Sequence, residues 1–236
     1  MGSQPQPEAV AAFAAARQRV LDAIGGACLR ADRDPAGVEL VAVSKTVPAE
    51  RLMAAAAAGL TTLGENRVQE AEAKAPLLPG VRWHLVGPLQ SNKARRAVDL
   101  FDVIESVDSV GLARRLDSLT AETGRAPLGV YLQVNVDLDP AKSGFEPAEL
   151  ETEIGSLAAL PNLRLLGLMT VGWLVASPSE ARATFVGLRG LAERLRAREP
   201  LLGPGLSMGM SDDFEVAVEE GSTLVRIGRA LFGERG

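Results

Sequence analysis

Apolar positions along the chain change their spacing repeatedly, and the changes mark out its elements. Residues 1–6 carry no periodicity and read as a disordered lead-in. From Pro7, the residues Val10, Phe13, Val20, Leu21, Ile24 and Cys28 recur near the spacing of one helix face, although Gly25-Gly26 weakens that helix. Short β-branched or apolar runs then alternate with amphipathic segments. The first run, 38–43, ends in Ser44-Lys45-Thr46, and Pro48 opens an alanine-rich helix that stops at Gly59. Further strands are expected at 61–64, 83–86, 102–105, 130–136 and 163–169, with weaker ones at 205–208 and 224–227. Helices over about 66–75, 92–98, from 108 or 109, from Pro147 to Pro161, and over 180–197 and 212–219 fill the intervals.

This makes eight strands, each followed by a helix, behind one extra N-terminal helix. Such alternation implies parallel pairing through right-handed crossovers. Eight units in roughly 250 residues is the size of a closed barrel. The expected fold is therefore α/β: a single (β/α)8 TIM barrel over 7–236, with no linker or composition break dividing it. An open doubly wound sheet is the alternative. That fold normally follows its first strand with a glycine-rich turn, and Ser44-Lys45-Thr46 is not one.

Composition narrows the function classes. With 236 residues, 47% apolar and 23% charged, one core is feasible without disulfides or metal. Lys and Arg number 25 against 30 Asp and Glu, a net charge of −5, so no basic excess favours a nucleic-acid partner. Cys28 is the only cysteine and His84 the only histidine, which excludes an internal disulfide and any cysteine- or histidine-rich metal site. No apolar run reaches membrane-spanning length, and the N-terminus lacks the charged-then-apolar order of a secretory signal. The expectation is a soluble cytoplasmic protein with no membrane partner.

A barrel builds its site at the carboxyl ends of its strands. The polar residues there are Lys45, Glu65, Asn66, Gln90, Ser106, Asn135, Lys142, Thr170, the stretch 207–213, and 226–229. Lys45 leaves the wall after an apolar run, so its amine is expected to be partly desolvated. Burial lowers a lysine pKa, and a neutral amine can attack a carbonyl. The ordinary alternative is a lysine that snorkels to water or pairs with Glu65. The small residues Gly205, Ser207, Gly209 and Ser211 suit close approach of a phosphate, or simply a loop capped by Ser211 or Asp212. Asp212 and Asp213 would repel that phosphate unless they face away. Arg226 interrupts an apolar strand and needs an acceptor, either a core carboxylate such as Glu65 or a ligand atom. An amine, a phosphate cradle and an arginine together suggest a phosphorylated aldehyde, its anionic end gripped across the mouth from the amine.

At these residues the chain resembles a known family. The stretches Val43-Ser44-Lys45-Thr46, Gly64-Glu65-Asn66-Arg67-Val68-Gln69-Glu70 and Trp83-His84-Leu85-Val86-Gly87 carry the resemblance. So do Leu89-Gln90-Ser91-Asn92-Lys93, Lys142-Ser143-Gly144-Phe145, Gly167-Leu168-Met169-Thr170, 207–213, Val225-Arg226-Ile227-Gly228 and Phe232-Gly233. Together they are similar to the pyridoxal phosphate homeostasis proteins, single-domain barrel relatives of bacterial alanine racemase. The resemblance implies pyridoxal 5'-phosphate held as a Schiff base on Lys45, with Arg226 facing the pyridine nitrogen. It implies phosphate ligands at Ser207 and at the backbone of Gly228 and Arg229, with Ser211 and Thr223 as further candidates. Asn66 and His84 would form pocket wall, and Met208 would pack near the ring.

Departures from the racemase shape the expected activity. Racemization needs a second acid/base on the far face of the substrate carbon. In the racemase that group is a tyrosine from an additional domain, whereas Tyr131, the only tyrosine here, lies within the fifth strand. Val171 replaces a histidine that sits against the ring, Lys142 stands where the racemase has an arginine, and Pro88 takes a position where histidine is common in the closer family. The resemblance thus implies a vitamin B6 carrier and regulator with little or no catalysis, a monomer whose partners are the cofactor and apo-enzymes that use it. Lys45 is catalytic only if the protein is a racemase-like enzyme. A Schiff-base aldolase without bound cofactor is a third class. The loop 172–179, with Trp173, is a candidate lid.

Overall fold

Eight parallel strands pair in chain order, and the last returns to the first, so the sheet closes into a barrel. The structure, a computed structural model, describes residues 5–172 and 178–233. Helix α1 (Pro7–Arg30) precedes the barrel. The units that follow are β1 (Glu39–Val43), α2 (Ala49–Ala57), β2 (Thr62–Glu65), α3 (Val68–Lys74), β3 (Arg82–Leu85), α4 (Ala94–Leu100), β4 (Val103–Val107) and α5 (Val110–Thr123). They continue with β5 (Leu128–Gln133), α6 (Pro147–Ala158), β6 (Leu163–Met169), α7 (Arg182–Arg198), β7 (Gly205–Ser207), α8 (Phe214–Glu219), β8 (Leu224–Ile227) and α9 (Arg229–Phe232). Most of the expected lead-in, residues 1–4, and most of the expected lid, 173–177, lie outside the described residues.

Strand alternation sorts side chains into two cores. One set faces the helices: Ala42, Leu63, Leu85, Ile104, Val130, Leu132, Leu168, Val225 and Ile227 are buried there with the apolar helix faces. The other fills the barrel itself, where Val41, Val103, Tyr131, Met169 and Leu224 pack as a separate cluster. That inner plug closes the lower barrel and leaves only its upper end for chemistry. Helix α1 keeps its full length across Gly25-Gly26 because Val20, Ile24, Ala27 and Cys28 are buried beneath it. It lies on α2, α8 and α9, and Arg30 pairs with Glu215 and Glu219 of α8.

Strands β6 and β8 have the expected bounds, and the others move by one to three residues. Helix α3 begins at Val68 rather than 66, because Arg67 stays extended (φ −135°, ψ 134°). Helix α8 begins at Phe214 rather than 212, since Asp213 turns back and its Oδ1 accepts a hydrogen bond from the Met210 N–H at 2.6 Å. Among the described residues no helix is long and apolar enough to cross a membrane.

One position shows how tightly the closure is specified. The β5–β6 register slips between Val130↔Leu165 and Tyr131↔Gly167, and at that bulge Gly167 has φ +153°. A Cβ there would sit 1.9 Å from the Gly205 carbonyl oxygen of β7. Gly167→Ala combines a disfavoured backbone with an overlap against main chain that cannot rotate away, so it should cost ~2–4 kcal/mol. Urea unfolding of the variant checks this through its midpoint, at unchanged slope.

Candidate functional site

The carboxyl ends of the strands enclose a cavity of about 510 Å³, within the range of small-molecule sites. Of the sequence-derived candidates, Lys45, Asn66, Ser211, Arg226, Gly228 and Arg229 all line it. They meet through topology, not proximity in sequence. Strand β8 pairs with β1 in the register Val41↔Arg226 and Ala42↔Ile227. Val41, Val43 and Lys45 therefore form one inward column, with Arg226 and Gly228 as its neighbour. A Cβ on Gly228 would meet the Val43 carbonyl at 3.4 Å, so glycine leaves that stretch of backbone open to the cavity. This corrects the expectation of an anion grip across the mouth from the amine: first and last strands adjoin, and Lys45 stands on the same side as Gly228 and Arg229.

The loop after β7 supplies the neighbouring wall. Gly209 (φ +94°) turns it, and Arg226 N donates to the Gly209 carbonyl at 3.0 Å. Asp213 faces into its own loop, where burial raises its carboxyl above the ordinary value. Asp212 does reach the cavity, but it pairs with Arg229, which locks the two loops together and offsets the negative charge.

Arg226 forms part of the floor, and its acceptor is not Glu65. Its Nη2 donates to the Thr170 carbonyl at 2.7 Å and its Nη1 donates to Ser207 Oγ. Ser207 Oγ in turn donates to Glu105 Oε2 at 2.6 Å, and that oxygen lies 3.9 Å from Arg226 Nη1. The other oxygen, Glu105 Oε1, is 2.7 Å from His84 Nδ1. Glu105 is fully buried. Burial acts to raise its carboxyl, yet His84, Arg226 and Ser207 together bring it below its ordinary value. Arg226 is pulled down by burial, with Glu105 opposing, and an arginine so placed still keeps its proton.

This network separates the candidates. His84 and Ser207 sit one step deeper than the cavity lining, as braces for Arg226, and Ser207 is wholly buried. Met208 points the other way, into the core between strands and helices, and Met210 lines the cavity instead. Thr223 stands at the start of β8, accepting from Leu206 N at 2.9 Å, far along the strand from Gly228. Glu65 lies on the outer face of β2, bonded to Lys74 and Ser44. Glu105 escaped the sequence reading. It interrupts the apolar run of β4 as Arg226 interrupts β8, and that shared oddity was the available signal. Gln133 and Val171 also line the cavity, as do Pro88 and Lys142, whose Nζ is 3.6 Å from Asp139 Oδ2. Tyr131 belongs to the inner plug below, where burial raises its phenol well above the usual value.

Comparison with known proteins places this geometry. Residues 27–236 match the family described as the alanine racemase N-terminal domain. The pyridoxal phosphate homeostasis protein of Pseudomonas aeruginosa is 46% identical over 220 residues, 92% of this chain and 93% of that one. The structure of PipY from Synechococcus elongatus with PLP bound is 45% identical, with a TM-score of 0.79 over 91% of this chain and 100% of that one. Alanine racemase from Corynebacterium glutamicum shares the fold, at 23% identity and a TM-score of 0.73, over 96% of this chain and 62% of its own.

Proposed function

We propose, from the premise that this chain belongs to the pyridoxal phosphate homeostasis proteins within the alanine racemase N-terminal domain family, that it holds pyridoxal 5'-phosphate in the 510 Å³ cavity and serves as a carrier and regulator of vitamin B6. The observation that carries this reading is the convergence of an amine, a guanidinium and an open glycine backbone on the adjoining strands β1 and β8. The donor set fits the cofactor: the backbone at Gly228 and Arg229 and the hydroxyl of Ser211 offer donors to a phosphate. When bound, the cofactor supplies an aldehyde able to link covalently and reversibly to the Lys45 amine. Lys45 provides that amine from the rim. Arg226, fixed by Thr170 and Ser207, presents a donor that cannot act as a base, which keeps a facing ring nitrogen unprotonated. Asn66 and Val171 shape the wall, while His84 and Ser207 act through Arg226.

In this reading the protein has little or no catalysis. Two-base chemistry needs a second group that can exchange protons, and the phenol of Tyr131 is buried under the floor and held protonated. The same reading takes the chain as one barrel domain over 7–236, a cytoplasmic monomer whose protein partners are apo-enzymes that require the cofactor.

Titration of the purified protein with pyridoxal 5'-phosphate should produce a visible absorbance band, bleached by borohydride, with the label on Lys45 by peptide mass spectrometry. No band, or a label on other lysines alone, refutes the reading. Incubated L-alanine should keep its chirality on chiral chromatography. Turnover of about 1 s⁻¹ or faster, the rate of an ordinary enzyme, would make the protein a racemase instead.

A further inference from the structure

Behind the cavity wall lies an ion cluster that the proposed function does not use. Lys74 of α3 is buried against the outside of the barrel with its side chain 11% exposed, and Glu65 of β2 is fully buried beside it. The Lys74 Nζ donates to Glu65 Oε1 at 2.7 Å and to the Ser44 carbonyl at 2.9 Å, and it lies 3.8 Å from Glu70 Oε2. Ser44 Oγ also donates to Glu65 Oε1 at 2.7 Å. On the other flank, the Thr46 N–H donates to Glu70 Oε2 at 3.1 Å. The residues immediately before and after Lys45 are thus fastened to one cluster, Ser44 to Glu65 and Lys74 and Thr46 to Glu70.

We propose that Glu65, Lys74 and Glu70 form a clamp that aims the Lys45 amine into the cavity, with Lys74 and Glu70 as positioning residues; the inference rests on Lys45 being the reacting amine. The local backbone supports this. Thr46 adopts φ +65°, a left-handed conformation unfavourable for a β-branched residue, so something beyond sequence preference must hold it. The bond from Thr46 to Glu70 does so from one side and the hold of Lys74 on the Ser44 carbonyl from the other. The chemistry of the cluster argues against simple cohesion as its role. A buried ion pair is rarely more stabilising than apolar side chains of like volume, and α3 packs on the wall through Val68 and Ala71 already. An apolar replacement could fill the space of Lys74 but could not grip a carbonyl. The ammonium donates to two acceptors on separate segments, Glu65 Oε1 and the Ser44 carbonyl, with Glu70 in ion-pair range, and they converge where the chain leaves the wall. Aim matters because condensation requires the amine at near-contact distance from the carbonyl carbon, and a displacement of about 1 Å can cost up to two orders of magnitude in rate.

The test compares Lys74→Met, Glu70→Ala and Glu70→Gln with the wild-type chain, all first shown to be folded by circular dichroism. Two readouts are taken: the rate at which the visible band grows with pyridoxal 5'-phosphate, and competitive labelling of Lys45 against Lys93 by trace acetic anhydride, which needs no cofactor. The expected result is a rate about tenfold lower in Lys74→Met and severalfold lower in Glu70→Ala, with anhydride labelling of Lys45 raised as its amine swings out. Glu70→Gln keeps an acceptor for the Thr46 N–H and should restore both readouts to within about twofold. Should Lys74→Met fail to fold, Glu70→Ala, at the exposed edge of the cluster, carries the test alone. Folded variants with unchanged rate and unchanged labelling overturn the clamp. A wild-type chain that grows no band refutes the cofactor reading by itself, and the anhydride arm still decides the clamp.

Discussion

Lys45→Ala is expected to abolish the visible band and weaken pyridoxal 5'-phosphate binding by about a hundredfold or more, equivalent to about 2.7 kcal/mol. The proposed phosphate donors at Ser211, Gly228 and Arg229, which line the cavity, remain in that variant, as does Arg226, so residual binding should persist. Charge-assisted hydrogen bonds contribute about 1.5–3 kcal/mol each. Lys45→Arg separates two accounts of the loss. It keeps the cation and most of the apolar stem, but a guanidinium is always protonated and cannot condense with an aldehyde. If Lys45 acts as a nucleophile, the arginine variant behaves like alanine in the visible spectrum. If Lys45 only attracts the anionic ligand, arginine restores binding. Lys142→Ala is the companion control, since Lys142 lines the same cavity and would inherit the label if the assignment to Lys45 were mistaken. Equilibrium dialysis with absorbance detection measures all three, and a band in Lys45→Arg would contradict the covalent assignment.

Which parts of this site the sequence discloses follows from how far apart the partners lie. Lys45 and Arg226 are legible because one is a charge at the end of an apolar run and the other a charge inside one, a local contradiction that demands a partner. The partner is not legible. Glu105 sits 102 positions from Ser207, and only the closure of the barrel makes them neighbours. The same closure puts Lys45 beside Gly228, where a reading along the chain placed them apart. Alternation would have refined one assignment. Residues two apart on a strand share a face, so Ser207 and Met208 cannot both look into the barrel; Ser207 does, and Met208 packs toward the helices. The alternation of strands and helices was legible as far as β8 because each unit carries its own period, whereas α9, with 4 residues, is too short to show one. The ends of the units were less legible: Asp213 is turned by its hydrogen bond back to Met210 and Arg67 stays extended, and neither breaks the apolar period that marks the helix after it.

Removal of Glu105 should be the most damaging change in the floor. Arg226 is buried, and Glu105 is the carboxylate nearest its guanidinium. Taking one partner from a buried ion pair leaves an uncompensated charge, which costs about 3–5 kcal/mol, a large part of the 5–15 kcal/mol that typically holds a domain folded. Glu105→Gln retains the shape and one acceptor, so its loss should be smaller yet of the same sign. The carboxylate also fixes a pH dependence. Its folded-state affinity for protons is lowered by His84, Arg226 and Ser207 relative to an ordinary glutamate near 4.5. A depressed carboxyl stabilises the fold above that ordinary value, and the contribution fades as pH falls through it toward the folded value. Wild-type stability from urea unfolding should therefore decline below about pH 4.5, and Glu105→Gln should flatten that decline. The decisive comparison is Glu105→Gln combined with Arg226→Met. If the charges compensate one another, the double variant loses less stability than the two single losses added together, by about 1–3 kcal/mol. Plain additivity would mean that Arg226 is held by Thr170 and Ser207 alone, and that Glu105 exists for His84.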